Sequence, residues 1–148
     1  MILKRNAKKI VWLLIAIIAV VIFYVTYISI YPGDSFYNQE FKEVTGLNLP
    51  NSANILYKES SFAFNGESCS AALIELNSKD YASLLQELKT NQKLNDTIVI
   101  GSSELNNMEN KVRNKSIAYK FTKELITRKF YLIEFYDDNK TIIIENIK

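Results

Sequence analysis

Apolar positions follow three rhythms along this chain. From Ile10 to Ile30 (IVWLLIAIIAVVIFYVTYISI) they run unbroken by any charge, Gly or Pro. A helix rises about 1.5 Å per residue, so roughly 20 apolar residues cross a hydrocarbon core about 30 Å thick. The run is that long and predicts a membrane-spanning helix. After Tyr31 the rhythm changes to short stretches of helical and twofold period, as in one small folded domain.

The first stretch of helical period follows Pro32-Gly33. Asp34 or Ser35 can cap it, Tyr37, Phe41 and Val44 form its apolar stripe, and Gly46 suits its end. Leu49-Pro50 then enforces an extended connection. Twofold alternation takes over in Ile55–Phe64 and Glu67–Leu76, separated by Asn65-Gly66, a strong hairpin signal. A two-residue turn there sets Ile55 opposite Leu76, Tyr57 opposite Ile74 and Phe62 opposite Cys69. A bulged turn shifts that register.

Ser78 is the expected cap of a second helix with Tyr81, Leu84, Leu85 and Leu88 at core-facing spacing. Lys89 suits the negative end of its dipole. Thr97–Ile100 reads as a short strand stopped by Gly101. Ser102–Asn114 is polar, with Leu105, Met108 and Val112 permitting either a short helix or a loop. Strands are expected at Ser116–Phe121, Lys129–Tyr136 and Thr141–Ile147, with Asp137–Lys140 as the last turn and Thr122–Arg128 open between strand and loop. All four glycines and both prolines fall at these boundaries. The expected fold is α+β: one transmembrane helix, then α-β-β-α-β-β-β-β, with an antiparallel sheet and its helices on one face.

Charge places the apolar helix. Lys4, Arg5, Lys8 and Lys9 precede it with no acid among them, which puts that end in the cytoplasm. Trp12 near one end and Tyr24, Tyr27 and Tyr31 near the other suit the two interfacial belts. A cleaved signal peptide has a shorter apolar region and a small-residue cleavage site, neither of which occurs here. The expected organisation is a basic cytoplasmic tail at 1–9, a signal-anchor helix at 10–30 and an extracytoplasmic domain at 31–148, in a bacterial inner membrane.

The chain has 18 Lys and Arg against 16 Asp and Glu. The four basic residues of the tail leave the domain with 14 against 16, a slightly acidic balance. That removes the electrostatic case for nucleic acid. Membrane lipid, through residues 10–30, and a protein in the envelope are the partners expected.

There is no His and one Cys, Cys69. Ser-His-Asp and Cys-His catalysis, His or thiolate metal sites and CxxC redox chemistry are excluded. The isolated glycines build no phosphate loop. No catalytic, cofactor-binding or metal-binding residue is assigned and no cofactor is expected. Carboxylates remain the only enzymatic route, through Glu59, Glu67, Glu75 or the Asp137-Asp138 pair. They require two acids in one cleft, one of them with a raised pKa.

Lys129–Tyr136 stands apart because both of its faces are apolar. Tyr131, Ile133 and Phe135 share one face, and Phe130, Leu132 and Tyr136 the other. Two readings fit: a strand buried on both sides beneath the first helix or the 102–114 segment, or an aromatic face used against a partner or the bilayer surface. On the second reading Phe130, Tyr131, Ile133, Phe135 and Tyr136 form the candidate partner surface.

The run Phe41-x-x-Val44-Thr45-Gly46-x-x-Leu49-Pro50-x-Ser52-Ala53-x-Ile55, with Cys69–Ile74 and Asp80-Tyr81-x-x-Leu84-Leu85, is similar to small bacterial envelope and membrane-anchored proteins of no assigned activity. The resemblance spans about residues 41–88 and implies an inner-membrane location but no catalytic residue. The expected function is a non-catalytic domain for protein–protein interaction, as an immunity protein or an accessory subunit of an envelope complex. The alternatives are a carboxylate-dependent cell-wall hydrolase and a small ligand-sensing domain.

Overall fold

The computed structural model describes residues 2–30, 32–62, 68–91, 94, 101–126 and 129–147. The chain divides into two compact units, Met1–Pro32 and Gly33–Lys148. The first is a single helix, α1 (Ile2–Ile30), which continues N-terminally through the basic segment. Its stretch Lys8–Tyr27, 20 residues, is long and apolar enough to cross a membrane.

The second unit is α+β, with a five-stranded, wholly antiparallel sheet in the order β1-β2-β5-β4-β3. In chain order its elements are α2 (Asp34–Thr45), β1 (Asn54–Phe62), β2 (Ser68–Glu75), α3 (Ser78–Lys89), α4 (Ser103–Lys111), β3 (Ile117–Ile126), β4 (Lys129–Tyr136) and β5 (Thr141–Ile147). This order differs from the expected one. Residues 103–111, left open between helix and loop, form α4, while the strand expected at Thr97–Ile100 lies outside the described residues. Thr122 onward continues β3 as far as Ile126.

Local chemistry accounts for most boundaries. Gly46 ends α2 at φ 80°, a left-handed backbone that glycine adopts without Cβ strain, and its N–H closes on the Lys42 carbonyl. α2 starts without a side-chain cap, because Gly33 occupies the position before Asp34. α3 is capped by Asn77 and not Ser78: Asn77 Oδ1 accepts the Asp80 N–H at 2.7 Å. Ser102 caps α4, its hydroxyl accepting the N–H groups of Glu104 and Leu105. Asn139, at φ 57°, makes the left-handed corner between β4 and β5.

The hairpin register is offset from the expected one. Ile55 pairs with Ile74, Tyr57 with Leu73 and Phe62 with Ser68, with a bulge between Ile55 and Tyr57. A two-residue turn leaves an even number of residues between paired positions. The Phe62–Ser68 pair leaves an odd number, so the offset is one residue from Tyr57 to Phe62, and the bulge makes it two at Ile55.

The helices cover both faces of the sheet, where one face was expected. On one side Tyr37, Phe41 and Val44 of α2 and Tyr81, Leu84 and Leu88 of α3 pack on Ala72, Ile74, Tyr131, Ile133, Phe135, Ile142 and Ile144. On the other, Leu105, Met108 and Val112, from α4 and its C-terminal end, pack on Ala71, Leu73, Leu132, Tyr136 and Ile143. The odd–even division along β2 and β5 is the alternation of a pleated strand. Leu85 only flanks the first cluster and is half-buried.

Candidate functional site

Two-sided coverage decides the place of the aromatic strand. Tyr131, Ile133, Phe135 and Tyr136 are buried, with Ile133 and Phe135 wholly inaccessible, and Phe130 is half-buried. β4 lies between β5 and β3, so its edges are also taken. Four of the five residues read as a candidate partner surface are therefore core, and Phe130 keeps partial exposure. Its chemistry is packing: Phe135 meets Tyr81 and Phe121 edge-on at ring separations of 5.1 and 5.9 Å.

Exposed apolar groups of this unit lie on the edge strands instead. β1 carries Leu56, Tyr57 and Phe62, the last 65% exposed, and β3 carries Ile117 and Tyr119. Tyr119 is covered by Lys89 Nζ at 3.6 Å and Tyr57 by Lys111 Nζ at 4.2 Å from the ring centroids. Leu56 and Phe62 keep their exposure. β1 pairs only with β2, so its outer edge is open among the described residues. Its one ammonium, Lys58, is paired with Asp34 at 2.9 Å across an exposed surface.

The acids weighed from sequence are engaged separately. Glu59 accepts both of its hydrogen bonds from Asn107, at 3.0 Å each. Glu75 pairs with Lys140 at 2.8 Å. Asp138 pairs with Lys115 at 2.8 Å and accepts from the Thr141 hydroxyl at 2.6 Å. Partial burial pushes the Asp138 carboxyl up, but the bonds from Lys115, Thr141 and the turn backbone outweigh it and hold it at about 2. Glu67 lies outside the described residues. Among the described residues, Glu59, Glu75 and Asp138 are each held by a different partner: Asn107, Lys140 and Lys115.

Another set of acids comes together beneath and on α4. Glu134 is fully buried on β4, with Lys120 Nζ 2.9 Å from Oε1 and the Tyr136 hydroxyl donating to Oε2 at 3.0 Å. Glu145 on β5 is 1% exposed; its Oε1 accepts the Ser102 N–H at 2.9 Å, and its Oε2 meets no hydrogen-bond partner among the described residues. Burial pushes Glu145 up and the charges of Glu134 and Glu104 reinforce it, against the bonds from Ser102. Glu109 is likewise raised by burial and by Glu134. Glu104 goes the other way: its desolvation is outweighed by hydrogen bonds from Ser61, Ser102, its own N–H and Ser103.

The sequence does carry a signal for this cluster. Glu134 and Glu145 interrupt FYLIEFY and TIIIENI, the two most apolar strands, where an outward-facing acid is hardest to place. Without the position of α4, neither has an identifiable neighbour.

A second polar layer lies on the opposite face. Ser70, Asn146, Tyr131 and Lys123 are aligned across four strands by register. Asn146 Nδ2 donates to Glu40 of α2, and Lys123 Nζ donates to the Val44 carbonyl at 2.6 Å. Tyr37 Oη, Tyr131 Oη and Asn146 Oδ1 have no hydrogen-bond partner among the described residues. Burial, then Glu40 and Tyr37, hold the Tyr131 phenol well above its ordinary range.

No cluster of His, Cys, Asp and Glu among the described residues is suited to hold a metal ion. Two open depressions line the surface of α3. One, of about 320 Å³, lies between Leu88, Lys89 and Tyr119; the other, of about 460 Å³, between Leu85, Lys89 and Asp138. Neither includes a member of the buried carboxylate cluster. The chain matches no protein-family model, and no curated protein or solved structure shows a similarity that assigns it.

Proposed function

We propose that this is a single-pass bacterial inner-membrane protein that holds a small, non-catalytic interaction domain outside the cytoplasm, as an immunity protein or an accessory subunit of an envelope complex. The observation that carries the reading is the stretch Lys8–Tyr27 of α1, long and apolar enough to cross a membrane, a composition that lipid solvates and water does not. The basic residues before it orient it with that end inside.

For the interaction itself, the support moves from β4 to the edge of β1. An open strand edge presents unpaired backbone groups in the geometry of another strand, and Leu56 and Phe62 add apolar contacts on its two faces. Photo-crosslinking residues at Leu56 and Phe62 of the full-length protein in its native membrane should capture one discrete partner, and the same residue at Ile133 should capture none. Loss of the β1 adduct on Leu56→Lys would tie capture to the edge. Equal capture from Ile133, or no adduct from either β1 position, overturns the interaction reading. Protease added to intact spheroplasts separately tests the topology: it should digest the domain, and protection would reverse the orientation.

A further inference from the structure

The carboxylate cluster is asymmetric in a way the sheet alone does not require. Glu134 has an ammonium and a phenol, and Glu104 has three serines. Glu145, almost fully buried, has one backbone N–H on Oε1 and the hydroxyl of the same residue, and no bond to Oε2 among the described residues. That N–H belongs to Ser102, the residue that caps α4. A buried acid with an unbonded oxygen thus holds the start of the helix that seals one face of the core.

We infer that Glu145 is a proton-operated latch for α4: carrying a proton, it lets the helix seat on the sheet, and losing that proton loosens the helix. The unpartnered Oε2 is the atom that takes the proton. An ionised Glu145 is a desolvated charge beside two further buried or nearly buried acids, and the cheapest relief is to let water in by lifting α4.

The charged groups around it set the direction. α4 itself contributes Glu104, Glu109 and Lys111; β4 contributes Glu134, β3 Lys120 and β1 Glu59. Lys120 is engaged with Glu134, and Lys111 lies over Tyr57. Among the described residues the Lys115–Asp138 and Lys140–Glu75 pairs involve Thr141 and its neighbours, at the other end of β5. Acids therefore outnumber bases where α4 starts, and loosening follows a rise in pH. The lifted helix uncovers Ala71, Leu73, Leu132 and Ile143, with Glu134 and Glu145 on the same face beside them.

The test is hydrogen–deuterium exchange of the full chain in detergent micelles from pH 4 to pH 8, corrected for intrinsic exchange. One proton separates the seated from the lifted state. Opening of α4 should therefore rise by up to tenfold per pH unit between the ordinary glutamate range and the raised value of Glu145. Amides of β4 and β5 should stay protected throughout. Glu145→Gln should keep α4 closed at every pH. Glu109→Gln, at a half-buried position, should shrink the total rise by removing one repelling charge. A flat wild-type profile overturns the latch, as does a rise shared by β4 and β5, or one that survives in Glu145→Gln. If Glu145→Gln does not fold, an unchanged rise in Glu109→Gln overturns it.

Discussion

Tyr81 donates its phenolic hydrogen to the Tyr136 carbonyl at 2.5 Å, joining the buried face of α3 to the end of β4. The same ring meets Phe135 edge-on, so one side chain supplies both a directional bond and apolar packing. Burial, with Asp138 and Asp137 nearby, pushes the phenol up to about 12, and it stays a donor across any ordinary buffer.

Tyr81→Phe keeps the ring and removes the bond. Tyr136 O still accepts the Asn139 N–H at 3.3 Å, so the carbonyl is not left bare. The expected cost is about 0.5–1.5 kcal/mol by urea denaturation. A neutral result would show that the contact is incidental to α3 docking.

The stripe of α3 separates by depth. Leu84 and Leu88 are 3% and 1% exposed, while Leu85 is half-buried beside them. Leu84→Ala and Leu88→Ala should each cost about 2–5 kcal/mol, the usual range for buried leucine. Leu85→Ala should fall clearly below both, so an equal loss at all three would contradict the observed face of the helix.

Capping gives a sharper comparison. Asn77→Ala removes the bond to the Asp80 N–H and should lower stability by about 1 kcal/mol. Ser78→Ala, one residue on, should stay within about 0.5 kcal/mol, as surface changes do. The reverse ranking by thermal denaturation would return the cap to Ser78.

Asp138 and Glu145 impose opposite pH dependences. Asp138 is depressed to about 2 from an ordinary 3.8 in the folded chain. Its stabilisation is present above the ordinary value and is lost as pH falls toward 2. Asp138→Asn should flatten the acid limb of the urea midpoint between pH 5 and pH 2, and a limb parallel to wild type would assign acid unfolding to another group. Glu145 is raised, so its contribution is present at low pH and is lost as pH climbs. Glu145→Gln should then raise the midpoint at pH 7.

Much of this fold was legible where boundary chemistry and periodicity agree. β4 and β5 lie where their apolar runs place them, and α2 ends at Thr45 because the next residue, Gly46, is left-handed. Asn77 and Ser78 are both capping residue types, and only the point where the chain leaves β2 separates them. Nine residues with Leu105 and Met108 as their buried apolar groups are too few for periodicity to distinguish helix from loop. With α4 unplaced, the second covered face was hidden as well. The apolar residues of β4 could then be read as surface, and the acids at Glu134 and Glu145 had no partners to reveal them.

The strand order has a consequence for biogenesis. β5 follows every other strand in the sequence, yet it sits at the centre of the sheet, paired with β2 on one side and β4 on the other. A ribosome that has delivered the chain as far as Asn139 has released two separate hairpins, β1–β2 and β3–β4, with no ladder between them. Each then carries a bare inner edge, and that of β4 borders the most aromatic strand. The seven residues of β5 then close both edges at once. Until they arrive, the domain is two sticky halves, and closing them requires contacts far apart along the chain, which form slowly and leave edges open to other strands.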